Sequence, residues 1–344
     1  MQCNLVKYDK AWKEAWNEAV EQARQSSFLF LRDFMDYHKE RFADRSLLIF
    51  DTHGQLLALL PACIDPHCPR RILSHGGLTY GGLLLLPRAT TVLVGEIMQS
   101  IISHYAADGF TEMIYKPLPY IYHQYPAEED LYWLFRFGAR LTGRTVSSAI
   151  SLPHPYPLST LRQRKVRKAS RTEALQIDDS TTHLPEFWQM LQAVLQERHH
   201  VNPVHSLSEL RLLADRFPRH IRLLTVHLSA DEHPADAPNH IVAGSLLFIT
   251  STVAHVQYIA ANDEGCRLSA LDWLFSQLPT WLSHHAPEAK YLDFGISTEQ
   301  GGNYLNEGLI FQKEGFGARA VCYDLYTLPL TFSGSSHLQV SAQS

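Results

Sequence analysis

Several things that would place a sequence quickly are scarce or missing here. Among 344 residues there are five cysteines, at positions 3, 63, 68, 266 and 322. They are odd in number and irregularly spaced. This excludes a disulfide-stapled secreted scaffold and predicts free thiols in a reducing compartment. His67 lies between Cys63 and Cys68, but no second pair follows at the spacing of a metal finger, so no metal is expected. Neither sign of charge dominates: 30 Lys and Arg against 35 Asp and Glu leave a net charge of −5. General binding to DNA or to a membrane surface by the whole molecule is thereby disfavoured.

Long apolar runs are also absent. The longest, 81–87 and 242–249, are strand-sized, so no membrane span is expected. The N-terminus has no apolar leader, because Lys7, Asp9, Lys10, Lys13 and Glu14 interrupt it. The expected location is cytoplasmic. The glycine cluster Gly76, Gly77, Gly81 and Gly82 fits neither P-loop nor dinucleotide spacing, which disfavours nucleotide hydrolysis and hydride transfer. Its exposed amides could instead hold a phosphate or an oxyanion, or simply form a tight turn. No nucleophile constellation stands out.

What is present is an ordinary globular composition, 45% hydrophobic and 19% charged. The chain is long enough for two cores. Trp12, Trp16, Ala19 and Ala23 recur at helical spacing, and a second helix is predicted over about 32–42. Strands follow at 47–50 and 56–61, a helix at 90–107, a strand at 112–115, a helix at 128–137 and a strand at 144–152. Residues 153–159, PHPYPLS, hold three prolines and read as a linker. The same order of elements then begins again: helices at 184–199 and 207–217, and strands at 220–227, 241–250 and 255–260. A long helix over 267–285, kinked at Pro279, leads to a closing strand, helix and strand. The fold class is therefore a mixed-sheet α/β arrangement of two like-ordered units, 1–157 and 158–330. The polar tail 331–344 is expected to be disordered.

Four stretches could carry chemistry. In 291–326 an apolar strand is followed at once by polar side chains, the arrangement that open α/β sheets use to hold ligands. Asp293 and Glu299 are candidate bases there, and Ser297, Thr298, Asn303 and Asn306 candidate substrate contacts or oxyanion donors. Arg162, Arg164, Lys165, Arg167, Lys168 and Arg171 put six cations in ten residues, a cluster suited to a phosphate-bearing donor. Gly265 and Arg267, at the start of the long helix, could add an amide and a cation. The segment YKPLPYIYHQY, beginning at Tyr115 and Lys116, could line a cleft or pack as an ordinary loop.

The element order resembles that of the GNAT acyltransferase domain, and two such units in tandem resemble the FemAB-like branch of that superfamily. The stretches that carry the likeness are FMDYHKERFADRSLLIFD (34–51), RKVRKASR (164–171) and YLDFGISTEQGGNYLNEGLIFQKEGFGA (291–318). The resemblance implies transfer of an acyl group to an amine of a small molecule or peptide. Acyl-CoA is the implied donor, with aminoacyl-tRNA as the alternative that Fem enzymes use. One departure is clear. Where a GNAT domain usually carries a glycine-rich pyrophosphate loop, this chain reads NDEGCRLSALDW (262–273), with one glycine and two acids. Acids beside a diphosphate are repulsive, which leaves open a third reading, a binding module that kept the fold without the chemistry.

Overall fold

The computed structural model describes residues 3–171, 175–228 and 241–330. The expected tail at 331–344 and a polar loop at 230–239 lie outside the described residues. The strands of the first half are β1 (Asn4–Lys7), β2 (Leu47–Phe50), β3 (Leu56–Leu60), β4 (Cys63–Asp65), β5 (Cys68–Leu73), β6 (Leu84–Leu85), β7 (Glu112–Tyr115) and β8 (Arg140–Ser151). Those of the second are β9 (Leu175–Asp178), β10 (Ile221–Leu228), β11 (Ile241–Ile249), β12 (Val253–Ala261), β13 (Tyr291–Ile296), β14 (Thr298–Glu299), β15 (Tyr304–Leu305) and β16 (Arg319–Pro329). The helices are α1 (Lys13–Gln22), α2 (Arg32–Met35), α3 (Thr91–Ala107), α4 (Glu129–Arg136) and α5 (Thr160–Ser170). They continue with α6 (Leu184–His199), α7 (Leu207–Arg216), α8 (Asp263–Leu268), α9 (Ala270–His285) and α10 (Glu307–Glu314).

Ten strands form one mixed sheet in the order β4-β5-β7-β16-β8-β13-β12-β11-β10-β9. β5 runs parallel to β7, and β12 parallel to β13. A parallel pair needs a long crossover, and α3 supplies it in the first half as α8 and α9 do in the second. The arrangement is symmetric about the middle of the sheet, with β16 opposite β8, β7 opposite β13 and β5 opposite β12. The two closing strands are exchanged. β8, from the first half, pairs with β13, while β16, from the end of the described chain, pairs with β7. They also pair with each other from Arg319↔Ala149 to Thr327↔Arg140.

Side chains alternate across a strand, and the second half of the sheet separates two cores accordingly. Ala254, Val256, Leu292 and Phe294 pack with Leu274, Phe275 and Leu278 of α9 and Ala169 of α5. Val253, Leu246 and Phe248 face the other way, into a core shared with Phe28, Phe34, Tyr80 and Tyr122 of the first half. The helix expected over 267–285 is in fact two. The break is at Ser269, whose φ of 61° is left-handed, and α9 then runs through Pro279.

Candidate active site

The parallel ladder between β12 and β13 is short, pairing Val253↔Tyr291, Ala254↔Leu292 and His255↔Asp293. Beyond that rung the strands are no longer paired. β13 also loses register with β8 between Asp293 and Ile296, where Gly295 has φ +75°. His255 and Asp293 thus stand opposite each other where two parallel strands part, the end of an open sheet at which ligands bind.

Asp293 is fully buried and accepts five hydrogen bonds. Its Oδ2 accepts from His255 Nδ1 at 2.9 Å, Tyr122 Oη at 2.8 Å and Tyr323 Oη at 2.6 Å. Its Oδ1 accepts from Ser147 Oγ and, at 3.2 Å, from the amide of Gly295. Burial alone would raise its pKa. The hydrogen bond and charge of His255, with the hydroxyls of Ser147 and Tyr323, outweigh burial and hold the carboxyl well below the usual carboxylate range. A fixed carboxylate on Nδ1 selects the imidazole tautomer and leaves Nε2 as the nitrogen available to a ligand.

His255 lines a cavity of about 340 Å³ built from both halves. Its walls include Phe28, Phe34, Tyr37, Phe42, Tyr80, Tyr122 and Phe248, the glycines Gly76 and Gly77, and the imidazoles of His38 and His205. Burial lowers the pKa of His38, and that of His205 to about 4, so both are neutral near pH 7. His75, packed behind His38 and Phe42, is lowered to about 3, again chiefly by burial. Arg41, the charged residue of the wall, is paired with Glu209. The cavity is therefore aromatic and close to neutral, with one carboxylate-backed imidazole at its edge.

The glycine turn at 75–82 forms part of this wall, and three of its four glycine amides are already engaged. Gly76 N donates to Cys63 Sγ, Gly77 N to His75 Nδ1 and Gly81 N to the carbonyl of Lys116. Lys116 does not line the cavity. Its buried ammonium, lowered by desolvation to about 8, donates to the carbonyls of His75 (2.7 Å) and Leu78 (2.5 Å) and so fastens the turn. Tyr115 is buried in the first-half core, where its hydroxyl donates to Asp130 at 2.6 Å. Of the aromatic segment, it is Tyr122 that reaches both Asp293 and the cavity.

The other sequence candidates are dispersed. Glu299 is exposed on β14, 3.5 Å from the Asn306 side-chain amide, and Asn303 is exposed, donating to the carbonyl of Gln300. Ser297 is buried and accepts from Lys313 Nζ at 2.8 Å, while Thr298 Oγ1 accepts from the amide of Val146 at 3.3 Å. Asn306 caps α10 through the amide of Leu309. Gly265 N donates to the capping side chain of Asn262, and Arg267 pairs with Glu264. The basic stretch is helical, as α5, and packs on α9 across the sheet from the cavity. Arg162 pairs with Asp272 at 2.5 Å, Lys165 lies 3.7 Å from the same carboxylate, and Lys168 donates to the carbonyl of Arg267. Arg167 donates to the carbonyl of Gln163, one turn back. His255 itself was not singled out by the sequence reading.

Residues 160–304 match the family model of the acetyltransferase (GNAT) domain. That segment, which is under half of the chain, is similar to the GNAT domain of acetyltransferases. No curated protein matches it in sequence. Among solved structures, FemX is similar over 93% of this chain and 96% of its own, with a TM-score of 0.66 at 11% identity. L-PGS from Bacillus licheniformis is similar over 95% and 94%, with 0.57 at 14% identity. A tandem GNAT protein from the clavulanic acid biosynthesis pathway is similar over 97% and 100%, with 0.50 at 11% identity. At these identities the likeness is one of fold, and it extends over nearly the whole of each chain. Among the described residues, no helix is long and apolar enough to cross a membrane.

Proposed function

We propose that the protein transfers an acyl group from a thioester of coenzyme A to an amine, with His255 as general base and Asp293 as the residue that positions it. The observation that carries this reading is the His255–Asp293 pair at the last rung of the β12–β13 ladder, with His255 at the cavity edge. Amine acylation needs a proton removed from the attacking nitrogen. His255 Nε2 takes it while the nitrogen attacks the acyl carbonyl. The tetrahedral intermediate collapses, the carbon–sulfur bond breaks, and the departing thiolate takes the proton back from the imidazolium. No covalent acyl-enzyme is required. Glu299, the other candidate base of the sequence reading, is far more exposed and has no comparable partner.

The donor's phosphates are assigned to the corner where α5 meets the start of α9. Lys165 lies beside Asp272 and Lys168 donates to the carbonyl of Arg267, with Arg167 on the same helix, and α8 and then α9 follow the end of β12 in sequence. A long donor entering there would pass between the parted strands to reach His255. The division into units 1–157 and 158–330 belongs to the same proposal, supported by the matching helix-crossed parallel pairs.

Aminoacyl-tRNA is the competing donor, favoured by the exposed Arg164 and Arg167 on α5 and Arg171 at its C-cap. Thermal shift with acyl-CoAs and with charged tRNA distinguishes them, since a ligand at about 100 times its Kd stabilises by about 2.7 kcal/mol. Acyl-CoA should raise Tm, and replacing Lys165, Arg167 and Lys168 together should abolish the rise. A response to charged tRNA alone would replace the donor. A response to neither would leave a binding module and sink the enzymatic reading.

A further inference from the structure

Outside the cavity, at the β9 edge of the sheet, three side chains converge. Asp178 ends β9 and lies opposite Thr225 of β10, so both point to one face, and His227, two residues further along β10, shares that face. The turn Thr181–His183 then folds His183 back over them, with its ring 4.7 Å from that of His227. One ligand atom from each of Asp178, His183 and His227 falls within 4.8 Å of the others. None of the three lines the cavity.

The hydrogen bonds around the group fix which atoms are free. Thr225 Oγ1 donates to the carbonyl of Asp178 and therefore accepts at 2.8 Å from His227 Nε2–H. That protonates Nε2 and leaves Nδ1 with its lone pair. Nδ1 is buried with no hydrogen-bond partner among the described residues, in a residue only 7% exposed. A buried acceptor without a partner costs about 1–3 kcal/mol, so a ligand on this nitrogen would be favourable. His183 presents Nε2 at 3.4 Å from Asp178 Oδ2 and Nδ1 at 4.0 Å from Glu186 Oε2. Ligand bonds of about 2.0–2.1 Å in a tetrahedron put the ligand atoms about 3.3–3.4 Å apart. Glu186 is held by the amide of Ile241 at 3.1 Å and faces the far nitrogen of His183, as carboxylates that orient metal-bound imidazoles do.

We propose that Asp178 Oδ2, His183 Nε2 and His227 Nδ1 bind a divalent transition metal, Zn²⁺ by the chemistry of its ligands, with the fourth position open to water. Two imidazoles and a carboxylate suit zinc better than the oxygen-only sites of calcium or magnesium. The ion would tie the edge strand β9 and the turn before α6 to β10, which gives it a structural role separate from acyl transfer. Cysteine spacing, which gives no metal site in this sequence, bears on none of these three residues. These ligands come from positions up to 49 residues apart and have no motif.

The test uses the full-length chain, stripped with chelator and dialysed against Zn²⁺. About one bound ion per chain is expected, with a Tm raised by the metal. His183→Ala, at a partly exposed position that leaves the fold intact by circular dichroism, should lose both the ion and the Tm response, as should His227→Gln. Glu186→Gln should weaken binding by about 10–100-fold. Co²⁺ in place of Zn²⁺ should give a visible spectrum without a thiolate charge-transfer band, which separates this site from the five cysteines. Failure to retain zinc, retention unchanged in folded His183→Ala, or a thiolate band would each overturn the proposal.

Discussion

Replacing Asp293 with asparagine changes one oxygen to nitrogen at the centre of the proposed site, and the consequences can be worked through bond by bond. Tyr122, Tyr323 and His255 all donate to Oδ2. An asparagine carbonyl can take that position, but each bond then loses its charge assistance, a difference of about 1 kcal/mol apiece. The new amide meets Ser147, whose hydroxyl can turn to accept, and the Gly295 N–H, which cannot. A donor facing a donor in a buried site costs about 1–3 kcal/mol. The sum, about 4–6 kcal/mol, is an upper bound because the bonds share one network. Urea unfolding at pH 7 should show a loss of this order. The sign with pH follows from the lowered pKa of Asp293. Its contribution is fully present above the unfolded value of about 3.9 and is lost as pH falls towards the folded value. The gap between wild type and Asp293→Asn should therefore narrow below about pH 4. Transfer activity should fall by about 10²–10⁴, because the imidazole loses the carboxylate that sets its tautomer and stabilises its protonated form. Equal stability from pH 7 to pH 3, or unchanged activity in a folded variant, would refute the reasoning.

Two further outcomes follow from the same geometry. His75, held at a pKa of about 3 mainly by burial, stays neutral while the unfolded chain takes up a proton near pH 6.5. Stability is therefore lost as pH falls from about 6.5 towards 3, by about 3–5 kcal/mol for this residue; His75→Gln should flatten the measured slope, and an unchanged slope would contradict the assignment. A Cβ at Gly81 would sit 1.5 Å from the carbonyl oxygen of Ser74, so Gly81→Ala must displace the turn that walls the cavity. It should cost about 2–4 kcal/mol by denaturant titration and weaken the acyl-CoA thermal shift.

Local pattern carried most of the elements, and for physical reasons it could not carry the rest. Helical spacing placed α3, α6 and α7, and alternation or apolar runs placed β2, β7, β10 and β11, because those periods are properties of single segments. The exchange of β8 and β16 is invisible to such a reading, since pairing partners about 180 residues apart leave no local mark. The break at Ser269 was missed because a left-handed serine has no sequence signature, whereas Pro279, which looked like the breaker, is accommodated inside α9. At the site, Asp293 stood out as an acid in the middle of an apolar strand. His255 had the same signal, a titratable residue in a strand before the crossover helix, and it was passed over because nothing in the sequence joins positions 38 residues apart. Tyr323 and Ser147, which complete the carboxylate's hydrogen bonds, come from the two exchanged strands.

The most direct measurement is the single-turnover rate of acyl transfer from acyl-CoA to an amine by wild type and by His255→Ala, read by mass spectrometry of the product. The variant should fold and bind donor, yet transfer about 10²–10⁴ times more slowly. A variant that transfers at the wild-type rate would show that the proton leaves by another route and that this imidazole is not the base.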